Sequence, residues 1–199
     1  MGSIYFGWAT PTEAAAVGVL AAFGLAGFYG ALSFHMLHEA FLSTMRTTAL
    51  ILLIIVAAFF LNFVVGVLGV PQAMTKFVSE VGVTPLTLIL VLFVFYLVLG
   101  CFIETLSMMV GTIPIVFPIV VHMGIDPVWF GVFLVLMMEL ALVTPPVGLN
   151  LYVVQGIRRQ GPVTDVFVGV APFVLTLMAF VFVIIAMPGL VTWLPRLMY

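Results

Sequence analysis

GIDPVWFGVFLVLMMELALVTPPVGLNLYVVQGI, the stretch from Gly124 to Ile157, decides how this chain folds. From Pro127 to Val143 every residue except Glu139 is apolar or glycine. The run then meets Thr144, Pro145, Pro146 and Gly148, and Leu149 to Ile157 is again largely apolar. Consecutive prolines remove two backbone donors and disfavour helix in the residue before them. Residues 127–157 are therefore expected as a broken helix pair, two half-helices around an unwound TPPVGLN segment.

Working outward, the whole chain shares this character. Of its 199 residues 65% are hydrophobic and 6% charged, against about 25% charged in a soluble domain. No Asp, Glu, Lys or Arg occurs between Arg46 and Lys76, from Val81 to Ile103, from Thr105 to Ile125, or from Val166 to Pro195. Each stretch reaches the roughly 20 residues that a membrane helix needs. The reading is an all-α integral membrane protein, in contact with the lipid bilayer along most of its length. A net charge of −2 with only the Arg158–Arg159 pair as a basic cluster excludes nucleic acid as a partner. Cys101 is the single cysteine, which leaves no intrachain disulfide or thiolate cluster. No basic segment precedes a cleavage site near Met1, so no signal peptide is read.

Thr10, Pro11 and Glu13 form a helix-start signature, with Thr10 as N-cap and Glu13 at the capping-box position, and predict a first span over Pro11–Leu32. Residues 33–45 place His35, His38 and Glu39 among apolar residues at helical spacing and are expected as an interfacial helix. Residues 46–81 combine an apolar run with Asn62, Gly66, Gly69 and Pro71 before a second helical run. That pattern predicts a re-entrant hairpin whose irregular tip is shielded by protein. The run beginning at Pro85 meets Gly100, Glu104, Gly111, Pro114 and Pro118, so one straight helix is not expected there. Val166–Met187 is the last clean span, with Trp193 and Tyr199 as interfacial anchors. Arg158 and Arg159 place their loop in the cytoplasm by the positive-inside rule.

Broken helices in hydrocarbon free backbone groups that transporters use to hold ions near the midplane. Thr144, with the carbonyls around Ala141 and Val147, offers uncharged oxygens to a hard cation; a plain proline kink is the competing explanation. A carboxylate at membrane depth costs about 2.5–3.5 kcal/mol on insertion scales. Glu104, beside Gly100 and Ser107, is assigned to the transport site, whereas Glu139 is expected to satisfy helix-end amides. His35 and His38 share a helix face, but their order is not that of a zinc protease motif, and no phosphate-binding loop occurs. The chain is read as neither an enzyme nor an ATPase, and no cofactor is expected.

Three segments carry a resemblance: ATPTEAAAVG at Ala9–Gly18, GCFIETLSMMVGTIPIVFPI at Gly100–Ile119, and the Gly124–Ile157 stretch. Together they resemble the large membrane subunit of tripartite ATP-independent periplasmic (TRAP) transporters, over nearly the whole chain. The resemblance implies one half of an inverted-repeat permease with a hairpin and discontinuous helices, moving like an elevator in the bacterial inner membrane. It also implies sodium as coupling ion, a small four-helix membrane subunit, and a periplasmic binding protein delivering an organic acid such as a C4-dicarboxylate or sialic acid. Gly100, Ala141, Thr144 and Val147 match one sodium site of the family; members usually have glycine where Ala141 stands and often aspartate where Glu104 stands. Asn62, Gly66, Glu104, Ser107, Pro145, Pro146, Gly148 and Asn150 are the remaining substrate or ion candidates. ATPTEAAAVG is similar to the opening of the family's second repeat, so the first repeat, with the basic residue expected to clamp the substrate, is read as missing here, the sequence being either a fragment or one of two separately encoded pieces, with that first-repeat half as its partner. Two other readings are a carboxylate carrier of the wider ion-transporter group that needs no binding protein, and a non-transporting membrane scaffold.

Overall fold

The structure, a computed structural model, describes every residue except Met1, Phe6, Val147, Arg159, Gln160 and Tyr199. The expected roles of Val147, Arg159 and Tyr199 thus lie outside the described residues. Those residues form helices and turns, without a strand. Internal contacts divide the chain into two units, Met1–Leu53 and Ile54–Tyr199.

The first unit holds α1 (Gly2–Tyr5), α2 (Pro11–Phe28) and the start of α3 (Phe34–Val67). The capping box that opens α2 is complete. The Glu13 amide donates to Thr10 Oγ1 at 3.3 Å, and the Thr10 amide donates to Glu13 Oε2 at 2.7 Å. The helix ends four residues before the expected Leu32, because Gly30 takes a left-handed φ of 66°. There the Ala31 amide turns back to the Ala26 carbonyl at 2.9 Å, a closure that glycine makes without steric cost.

Helix α3 differs from expectation. It runs without a break from Phe34 to Val67, so no boundary separates residues 33–45 from those that follow. The polar residues at the expected boundary are absorbed by the helix: Thr44 Oγ1 donates to Ala40 O at 2.8 Å and Thr47 Oγ1 to Ser43 O at 3.0 Å. Asn62 and Gly66 sit within its last turns rather than in an irregular tip, and the helix gives way to a turn at Leu68 and Gly69. Gly69, with φ 66°, precedes α4 (Val70–Glu80).

The second unit continues with α5 (Pro85–Gly100), α6 (Thr105–His122), α7 (Pro127–Val143), α8 (Leu149–Arg158), α9 (Val163–Ala186) and α10 (Gly189–Met198). Among the described residues, four helices are long and apolar enough to cross a membrane: α2, α3, α6 and α9. Helices α5 and α7 are apolar but have 16 and 17 residues. At 1.5 Å per residue they fall short of a hydrocarbon core about 30 Å thick. Each is followed by a break and a further helix. The break after α5 falls at Cys101–Glu104, while Pro114 and Pro118 lie inside α6.

Helix α7 is the centre of this unit, packed against α5, α6, α8, α9 and α10. Its buried residues are Trp129, Phe130, Phe133, Leu134, Met137, Leu140 and Ala141, a single stripe at helical spacing. Tyr96, Val181 and Ile184 are fully buried in the same core. Two polar groups within it are satisfied. Trp129 Nε1 donates to Ile184 O at 3.1 Å. Thr112 Oγ1 spends its proton on Met108 O at 2.8 Å, so Tyr96 OH is the donor in their 2.9 Å bond. Helix α4 packs on α6, where Ser79 Oγ meets His122 Nε2 at 3.2 Å.

Candidate ion site where two helix breaks meet

The two breaks come together. Gly100 is the last residue of α5 and Ala141 lies in the last turn of α7. A Cβ added at Gly100 would stand 2.5 Å from Ala141 Cβ and 3.2 Å from Ala141 Cα. The helices therefore touch backbone to side chain at their C-terminal ends, which only glycine permits. Beside the contact lies a cavity of about 220 Å³, lined by Gly100, Phe102, Ile103, Glu104, Thr105, Ala141, Leu142 and Gly148.

Electrostatically this cavity suits a cation. Each helix C-terminus carries unpaired carbonyls equivalent to about half a negative charge. The double proline adds to this by covalent structure. In a helix the carbonyls of Ala141 and Leu142 would accept from residues 145 and 146, but Pro145 and Pro146 have no amide hydrogen. Counting four residues back from Pro146 is the signal that points to Leu142, a wall residue absent from the sequence-predicted set. Thr144 caps α7 in an extended conformation, φ −95° and ψ 126°. Thr144 is not one of the residues that line the cavity; its hydroxyl donates back to Leu140 O, leaving the oxygen lone pairs available. Gly148 is equally constrained: an added Cβ would lie 2.9 Å from Thr144 O and 2.9 Å from Leu151 Cδ1.

Glu104 also lines the cavity, but its carboxylate is engaged at the start of α6. Oε1 accepts from the Leu106 amide at 2.9 Å, and Oε2 accepts from the Ser107 amide at 2.9 Å and the Ser107 hydroxyl at 3.2 Å. This is the amide-satisfying role expected of Glu139. Glu139 does not fill it: it lies one turn before the C-terminal end of α7, where the backbone amides are already paired within the helix, and it is exposed with no hydrogen bond among the described residues.

The other predicted residues are dispersed. Pro145 and Pro146 form the turn between α7 and α8 through a cis bond, with Tyr152 OH donating to Pro146 O at 3.0 Å. Asn150 lines a different depression, between α8 and α9. Asn62 and Gly66 remain on α3 and do not line the cavity; Asn62 Oδ1 is buried with no hydrogen-bond partner among the described residues. No group of three or more His, Cys, Asp or Glu side chains gathers among the described residues, His35, His38 and Glu39 included. A cation in the cavity would thus be held chiefly by neutral oxygens, with one carboxylate beside them.

Comparison with known proteins gives this geometry a setting. Residues 1–190 match the family model described as tripartite ATP-independent periplasmic transporter, DctM component. The chain is 37% identical over its full length to the C4-dicarboxylate TRAP transporter large permease protein DctM of Rhodobacter capsulatus, covering 45% of that protein. It is 32% identical to the sialic acid TRAP transporter large permease protein SiaM of Vibrio cholerae over 99% of this chain and 46% of that one. It is also similar, at 31% identity over 80% of its length, to 25% of the isethionate TRAP transporter permease protein DctMQ of Oleidesulfovibrio alaskensis. The chain thus spans about 45% of the large permeases DctM and SiaM that it matches. With four helices among the described residues long and apolar enough to cross a membrane, and with these relatives, it is a multi-pass inner-membrane protein. The chain belongs to the DctM-component family of tripartite ATP-independent periplasmic transporters.

Proposed function

We propose that this chain is the second repeat of a large permease subunit whose complete form couples inward sodium movement to uptake of a small organic acid. The observation that carries the proposal is the convergence of the α5 and α7 C-terminal ends on one cavity with a carboxylate in its wall. Backbone carbonyls of Gly100, Ala141 and Leu142 and the Thr144 hydroxyl are the ligand set, and Glu104 adds charge. Sodium, when bound there, would add positive charge to a site where the C-terminal ends of α5 and α7 face the N-terminal end of α6, and so favour an anionic substrate. Pro145 and Pro146 hold the carbonyls free of helical hydrogen bonds, so no bond has to break before an ion is held. Val147, Asn150, Asn62 and Gly66 complete the ion and substrate candidates.

The transported acid is of the class named for the relatives, a C4-dicarboxylate or a sialic acid. The remaining length of the permease, a small membrane subunit and a periplasmic binding protein are the partners. The test is uptake by the complete permease reconstituted with small subunit and loaded binding protein. Uptake driven by an inward sodium gradient, and absent with potassium, supports the proposal. Equal uptake with either ion, or with sodium in the absence of binding protein, overturns it.

A further inference from the structure

Helix α7 has a second face that the core does not use. Val128, Gly131, Val132, Val135 and Glu139 form one exposed stripe opposite the buried one, with Val135 55% and Val128 49% exposed. The stripe belongs to the central helix of its unit, yet nothing in the second unit covers it. Glu139 stands on it as the lone carboxylate in a helix that is otherwise entirely apolar, with no partner among the described residues. An unpartnered carboxylate is poorly tolerated against lipid, and intramembrane ionisable groups face protein or a water-filled cavity and pair there. Of the five Lys and Arg in this chain, Lys76 is beside Glu80 at 3.7 Å and Arg158 beside Asp165 at 2.9 Å, Arg46 belongs to the first unit, and Arg159 and the Arg196 side chain lie outside the described residues. More than half of the length of the large permeases DctM and SiaM lies outside the chain.

We propose that the Val128–Glu139 face of α7 is covered by a helix from the part of the permease outside this chain, and that this helix carries a Lys or Arg paired with Glu139. The pair joins the two parts of the subunit at membrane depth: the valines supply an apolar seam, and the charge pair fixes its register. The inference rests on the reading of the chain as part of a longer permease, but not on what that permease carries.

The experiment is independent of transport. In the complete permease, with a protease site between the two parts, p-benzoylphenylalanine is introduced at Val135 and, separately, at Val132; after illumination and cleavage, linked peptides are identified by mass spectrometry. The expected result is a covalent link to the other part, within about one helical turn of a Lys or Arg. Glu139→Arg should then abolish the link, and exchange of the identified basic residue for Glu in the same protein should restore it. A link to lipid, to the small subunit, to residues 2–53 of this chain or to a helix without Lys or Arg overturns the inference. So does loss of the link in both charge variants. Failed sodium-driven uptake with the link intact would count against the transport proposal alone.

Discussion

Gly100 and Ala141 meet so closely that a methyl group on the first would stand 2.5 Å from the methyl of the second. Two helix ends approach this near only where one residue lacks a side chain. The contact sets where the carbonyls of both helices end, and hence the shape of the cavity beside them.

Gly100→Ala should therefore lower the thermal stability of the purified permease, by the 1–3 kcal/mol or so typical of overpacking. Moving the methyl rather than adding it should recover the loss, so Gly100→Ala with Ala141→Gly is expected to melt near the parent. Thermal unfolding in detergent measures both. Equal stability of parent and Gly100→Ala would show that the helices part freely.

Glu104 and Asp126 perform the same task at two helix starts. Asp126 Oδ1 accepts from the Val128 and Trp129 amides at 2.8 and 3.1 Å, as Glu104 does from Leu106 and Ser107. Glu104→Ala should cost about 1 kcal/mol of stability, the usual worth of a lost N-cap. Glu104→Asp should cost less, because the shorter carboxylate still reaches the amides. Melting temperatures of the two variants, side by side, check this; equal losses would count against the capping role.

The turn after α3 separates two glycines that look alike in sequence. A Cβ at Gly66 meets nothing within 4 Å, whereas Gly69 has φ 66°. Gly66→Ala is expected to leave stability unchanged or raise it slightly, since alanine favours helix by about 1 kcal/mol. Gly69→Ala should lose about 1–2 kcal/mol through left-handed strain. Reversal of that order in a denaturation series would place the irregular backbone at Gly66 instead.

Helix content, the membrane class and the interruption at Thr144–Gly148 were legible because apolar run length and the absence of a proline amide act locally. The α2 start was legible for the same reason, as Thr10 and Glu13 are three residues apart. The course of α3 was not: Asn62, Gly66 and Gly69 all suggest irregular backbone, and only Gly69 takes it. Glu104 caps a helix start, the role expected of Glu139, because capping depends on where a helix begins, and the α6 start at Thr105 follows from the break at Cys101–Glu104. Gly100 was named as a ligand from family likeness, and Ala141 from the proline break as well. Their mutual contact, 41 residues apart in sequence, depends on how α5 and α7 pack and leaves no mark in local pattern.

The account stands on the cavity between these helix ends being a sodium site, and Thr144 tests it most directly. Its hydroxyl donates to Leu140 O and keeps its lone pairs free, so Thr144→Val removes one neutral oxygen while preserving shape. The measurement is uptake against sodium concentration in the complete permease, at saturating substrate and binding protein, with Thr144→Ser as the control that retains the oxygen. Thr144→Val should raise the half-saturating sodium concentration about tenfold, roughly 1.4 kcal/mol of lost binding, while Thr144→Ser follows the parent. Superimposable sodium curves for all three proteins would contradict the account and leave the double proline as a structural kink.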